Sequence, residues 1–186
     1  MKVKIQMALL IILIAGCSTP KSDNSALEPL YSYDIEERLV ELGIDLETPE
    51  LPPGLNIELS VQSGNLIFLS GNGPILPNGD KFAGKVGTDL TIDQGYEAAR
   101  ITAINQLSVL KAHIGDLNKV EKIVKVLGMV NAEPSFTQHP AVINGFSDLM
   151  IEVFGERGRH ARSAVGMTSL PWNLACEVEL IVQIRE

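Results

Sequence analysis

The chain has 186 residues, 45% of them hydrophobic and 20% charged, which is enough apolar material for one domain with a substantial core and excludes wholesale disorder. Acidic residues outnumber basic ones 23 to 15, for a net charge of −8, and this argues against the clustered Lys and Arg surface that nucleic acid requires. Two cysteines leave no disulfide framework, and His113, His139 and His160 lack partners at metal-ligand spacing, so neither a metal nor another cofactor is expected.

The first 17 residues read MKVKIQMALLIILIAGC. Lys2 and Lys4 make a basic start, Met7 to Ile14 an apolar run, and Ala15 and Gly16 a small-residue approach to Cys17. That is the layout of a secretory signal, and the Ile-Ala-Gly-Cys ending resembles the lipobox of bacterial lipoproteins. The resemblance implies removal of residues 1–16, acylation of Cys17, and a place in the bacterial cell envelope, at the outer membrane or the periplasmic face of the inner one. At about 0.8 kcal/mol per buried CH₂, two or three acyl chains hold a protein firmly to a bilayer. Losing Lys2 and Lys4 leaves 13 basic against 23 acidic residues, a mature charge of −10. Ser18 to Ser25 is a polar, turn-rich linker.

A short helix is predicted over Tyr33 to Gly43, with Ile35, Leu39 and Leu42 on one side and Gly43 as its stop. Residues 17–54 thus form a linker and helical extension, and the main domain occupies 55–186. Two strands are expected at Asn56 to Gln62 and Leu66 to Ser70, joined by Ser63-Gly64-Asn65. Thr91 and Gln94 form a capping box opening a helix to about His113. Ile92, Tyr96, Ala99, Ala103, Leu107, Leu110 and Ile114 give it one core-facing stripe, and Gly115 ends it.

Val120 to Val130 reads as a strand, Asn131 to Pro140 as a polar loop, and Ile143 to Phe154 as a helix closed by Gly155. After a basic loop, Glu156 to Arg162, come strands at Ser163 to Met167 and Ala175 to Arg185. Cys176, Val178, Leu180, Val182 and Ile184 alternate onto one apolar face, which makes Cys176 a core thiol rather than a nucleophile. The order β-β-α-β-α-β-β predicts an α+β domain with two helices packed on one face of a sheet.

Residues 158–179, GRHARSAVGMTSLPWNLACEVE, place an arginine at the head of a short strand, then a Leu-Pro turn, then a strand carrying glutamates. This stretch resembles the hallmark of the RidA (YjgF) family of reactive-intermediate imine deaminases. Gly64-Asn65 through Ser70-Gly71 is similar to that family's second strand, and the likeness in order and spacing spans Leu55 to Arg185.

The resemblance implies a chorismate-mutase-like fold with a mixed sheet, a homotrimer with a site in each cleft between subunits, and hydrolysis of 2-imino acids or enamines to 2-keto acids and ammonia. It assigns the substrate carboxylate to Arg162, whose planar fork suits two charge-assisted bonds. It assigns orientation of the attacking water to Glu177, and main-chain ligand contacts to Gly71 and Ala164. Three departures stand out: Ile57 at the position of a family tyrosine, His160 where proline is common, and the extra residues Glu133 to His139. A non-catalytic trimer that binds small carboxylates or a partner protein is the alternative. The acidic balance disfavours RNA.

Overall fold

The computed structural model describes residues 28–51 and 53–185; the expected signal, Cys17 and the polar linker lie outside them. Helix α1 (Ile35–Glu41) starts where the Asp34 carboxylate accepts the N–H groups of Glu36 and Glu37, and the chain leaves it through Gly43 at φ 68°. This helical extension is built into the core. Ile35 and Leu39 are buried, the Ile35 N–H donates to Asn118 Oδ1 at 3.0 Å, and the Tyr31 hydroxyl donates to the Val120 carbonyl. Arg157 lies over the Tyr31 ring while donating to the carbonyls of Leu30 and Glu121, both at 3.0 Å.

Strands β1 (Ser60–Ser63) and β2 (Leu66–Asn72) form a hairpin about Gly64, whose φ of 59° suits a residue without a side chain. The strand expected from Asn56 begins only at Ser60. Its ladder with β2 ends at the Ser60–Leu69 pair, beyond which Ser70 makes single hydrogen bonds to the carbonyls of Leu59 and Glu58.

Helix α2 (Ile92–Ile114) carries both halves of the Thr91–Gln94 capping box and stops at Gly115. Its expected stripe holds from Ala99 onward; Ile92 and Tyr96 are only partly buried, and Gly95 and Ala98 take their place. The cause is the close crossing of the second long helix, α3 (His139–Phe154). A Cβ on Gly145 would stand 2.0 Å from the Tyr96 carbonyl oxygen, and one on Gly95 3.1 Å from Val142. Neither glycine has room for a side chain at that crossing, and Tyr96, beside it, lies partly exposed and donates to Asp148 at 3.0 Å. Helix α3 itself begins before the expected Ile143, because Pro140 occupies the first turn, where a missing N–H breaks no helical bond.

Strand β3 (Val120–Asn131) precedes α3, and β4 (Ala161–Met167) and β5 (Cys176–Ile184) follow it. The sheet order is β1-β2-β5-β3-β4, antiparallel except for the parallel pair β3–β4, which α3 connects as a crossover. The last strand in the chain therefore lies at the centre of a mixed sheet, and α2 and α3 cover one face of it. Cys176, Val178, Leu180, Val182 and Ile184 are buried beneath those helices, as the alternation predicted. Cys176 contacts the Thr102 hydroxyl at 3.4 Å, and burial pushes its thiol up to about 12, so it is a core thiol. The opposite face carries exposed Val61, Phe68, Val165 and Met167.

Candidate functional site

Arg162 sits on β4, an edge strand, opposite Val126 of β3 and on the helix-covered side. Its Nη1 donates to Asn144 Oδ1 at 3.0 Å and Ser147 Oγ at 2.9 Å, and Nη2 approaches the Pro140 carbonyl at 3.5 Å. All three acceptors belong to α3 and all are neutral. Among the described residues Arg162 has no carboxylate within salt-bridge distance, whereas Arg38, Arg100 and Arg159 are paired with Glu41, Glu152 and Glu156. Partial burial makes its charged form less favourable, Asp148 pulling weakly the other way. A half-buried cation with only neutral partners is chemically suited to an anion, and its Nε–H makes no hydrogen bond among the described residues.

Glu177 lies on β5 and faces the bare side of the sheet, opposite Met129. Burial, then the charge of Glu179, raises its carboxyl above the ordinary range. The carboxylate occupies space that Gly71 leaves vacant: a Cβ on Gly71 would lie 2.1 Å from Glu177 Oε1. Gly71 thus leaves room for the Glu177 carboxylate in this position and is not needed for an unusual backbone angle. The β2–β5 ladder shifts register between Leu69 and Asn72, and buried Gln106 of α2 bridges the irregularity. Its Nε2 donates to the carbonyls of Ser70 at 2.9 Å and Val178 at 2.6 Å. Gln106 therefore holds the strand segment that brings Gly71 against Glu177.

Ala164 is partly buried on β4, paired with Gly128, and faces the same side as Arg162. The structure therefore places these four residues in two pairs, Arg162 with Ala164 on one face and Glu177 against Gly71. Within one chain it does not bring them together: Arg162 aligns with Leu180 through Val126, and Glu177, three residues from Leu180, points the other way. The strands that carry them are two spacings apart, about 10 Å. Cys17 lies outside the described residues. Among those residues no cluster of His, Cys, Asp and Glu could hold a metal ion. Asn144, Ser147 and Gln106 escaped the sequence reading; the available signal was a neutral polar pair one turn apart on the helix α3, and a glutamine beside the core stripe.

Residues 36–184 match the family model described as "YjgF/chorismate_mutase-like, putative endoribonuclease". The chain belongs to this family. It is 40% identical over 152 residues to protein TCP17 of Trypanosoma cruzi, covering 81% of this chain and 94% of that protein. The crystal structure of Atu1372 from Agrobacterium tumefaciens, a protein of unknown function, is 41% identical with a TM-score of 0.73, covering 81% of this chain and 91% of that one. A crystal structure from Shewanella oneidensis, titled a "putative endoribonuclease", is 33% identical with a TM-score of 0.77, over 82% of this chain and 100% of the other. The match begins within α1, in keeping with the packing of that helix into the core.

The raised carboxyl of Glu177 has a consequence for stability. A carboxyl whose folded pKa lies above its unfolded value is protonated in both states at low pH, and folding disfavours its charged form once pH rises past the unfolded value. Glu177→Gln should therefore raise the urea unfolding midpoint at pH 7, with the difference from wild type vanishing near pH 4. An equal midpoint shift at both pH values would show that the strain at Glu177 is not electrostatic.

Proposed function

We propose that the protein hydrolyses 2-imino acids, or their enamine tautomers, to 2-keto acids and ammonia. The observation that carries this reading is the state of Arg162: a half-buried guanidinium, oriented by three neutral acceptors, with its Nε–H edge unused among the described residues. Such an edge takes a carboxylate side-on in two charge-assisted bonds. Water adds to the imine carbon, Glu177 orients it and accepts its proton, and collapse of the carbinolamine expels ammonia with a proton returned to nitrogen. A carboxyl whose pKa is raised by burial is a better proton acceptor than an exposed one.

The catalytic unit in this proposal is a homotrimer. Arg162 and Glu177 of one chain face opposite sides of its sheet, so a complete site draws them from different chains. Val61, Phe68, Val165 and Met167 make the bare face apolar enough to be covered by another copy. The envelope location remains the reading of the first 17 residues, with Cys17 as the lipid-bearing residue and the membrane as its partner. The specific observation favouring a non-catalytic carboxylate binder is Ile57, which stands at the family's tyrosine position and is 49% exposed in a segment preceding β1. A net charge of −8 speaks against RNA as the substrate here, although a relative carries an endoribonuclease title.

Two substitutions separate the readings. Arg162→Lys keeps the charge and loses the fork, so calorimetry should show 2-keto acid binding weakened by about 1.5–3 kcal/mol. Glu177→Gln should leave that affinity intact while lowering ammonia release from imines generated by an amino-acid oxidase. A pure binder gives no release above background in the wild type, and an unchanged Arg162→Lys protein removes the carboxylate anchor from either reading.

Light scattering on the purified chain should return about three times the monomer mass; a monomer at micromolar concentration would contradict the shared site. Mass spectrometry of membrane fractions should find residues 1–16 absent and Cys17 acylated. Finding intact, unmodified Met1 in most of the protein would refute the anchor.

A further inference from the structure

Beyond the reading of Arg162 as a carboxylate anchor, on which this inference rests, we infer that Ser147 and His160 are positioning residues that hold the guanidinium in its ligand-ready orientation. The hydrogen-bond directions follow from chemistry. His160 Nδ1 lies 2.7 Å from the Gly158 carbonyl oxygen, which can only accept, so Nδ1 carries a proton. In a neutral ring Nε2 then only accepts, so the Ser147 hydroxyl, 3.0 Å away, donates to it. With its proton committed, Ser147 Oγ presents lone pairs, and Arg162 Nη1 donates to one of them at 2.9 Å. Asn144 takes the second Nη1 hydrogen at 3.0 Å. The chain Arg162 to Ser147 to His160 to the Gly158 carbonyl therefore has one consistent direction.

The surroundings keep the ring neutral. Burial lowers the His160 pKa, the Gly158 carbonyl opposes that effect, and the cations Arg162 on β4 and Lys125 on β3 reinforce it. Asp148, on α3, acts on Arg162. His160 occupies the position where the resembled family pattern commonly has proline, a residue with no side-chain donor or acceptor. In this chain Nη1 of the arginine is therefore held by two acceptors on α3, Asn144 and the Ser147 that His160 orients. Nη1 is fully used, and Nε–H with one Nη2 hydrogen remains as the side-on edge. Ordering a long side chain before the ligand arrives removes part of the entropy cost of binding.

The test uses the full-length chain with 2-oxobutanoate as probe, titrated by calorimetry, together with ¹⁵N NMR of the His160 ring. Ser147→Ala and His160→Phe should each weaken binding about tenfold, the loss expected for one supporting hydrogen bond to a charged group. The double variant should be no worse than either single one, since both break the same chain. Ser147→Thr, which keeps the hydroxyl, should restore wild-type affinity. At pH 7 the ring should be the Nδ1–H tautomer. An Nε2–H tautomer overturns the inference, as does undiminished binding in Ser147→Ala, or in His160→Phe should Ser147→Ala fail to fold. If those variants bind normally while Arg162→Lys does not, the relay falls and the anchor stands. A wild-type chain that binds no 2-oxobutanoate and matches Arg162→Lys overturns both.

Discussion

The alternation of strand β5 is the constraint on which the rest of the molecule depends. This strand is the last in the chain and lies at the centre of the sheet, between β2 and β3. Its even-numbered residues from Cys176 to Ile184 are buried under α2 and α3, so its odd-numbered residues, Glu177 among them, must face the other side. A one-residue slip would expose five apolar side chains and bury two carboxylates, Glu177 and Glu179. The same parity, passed across β3 to β4, directs Arg162 toward α3.

Arg162 and Glu177 both depart from the arrangement that would best serve stability. Several cations are neutralised, as where Arg100 holds Glu152 at 2.7 Å and Lys111 pairs with Glu36, whereas Arg157, like Arg162, donates to neutral oxygens. Arg162 is left with neutral oxygens, and Glu177 is held where its charge is disfavoured. Gly71 contributes by lacking a side chain, and Gln106 by filling a break in the β2–β5 ladder from the helix above. These features converge on the groups that the family resemblance assigns to chemistry. Functional sites are where perturbed ionisation and unpaired charge concentrate.

Local signals translated directly into local structure. The Thr91–Gln94 box forms as written, Gly43 and Gly115 terminate their helices, and Cys176 lies in the core. Errors arose where the outcome depended on a distant segment. β1 starts late because only β2 determines how far its ladder runs. Tyr96 leaves the α2 stripe because Gly145, nearly fifty positions along, brings another backbone against it.

By itself the sequence determined the order of elements, their periodicity, the family, and the identities of Arg162, Glu177, Gly71 and Ala164 as residues to examine, because capping, alternation and motif spacing are properties of neighbours along the chain. Tertiary structure alone decided that β5 inserts between β2 and β3, that Arg162 and Glu177 face opposite sides of one sheet, and that Asn144 and Ser147 accept from the arginine with His160 behind Ser147. Those facts depend on strand order and on hydrogen bonds between separate elements. No periodicity encodes which strand will lie beside which, or which helix will pack above an edge.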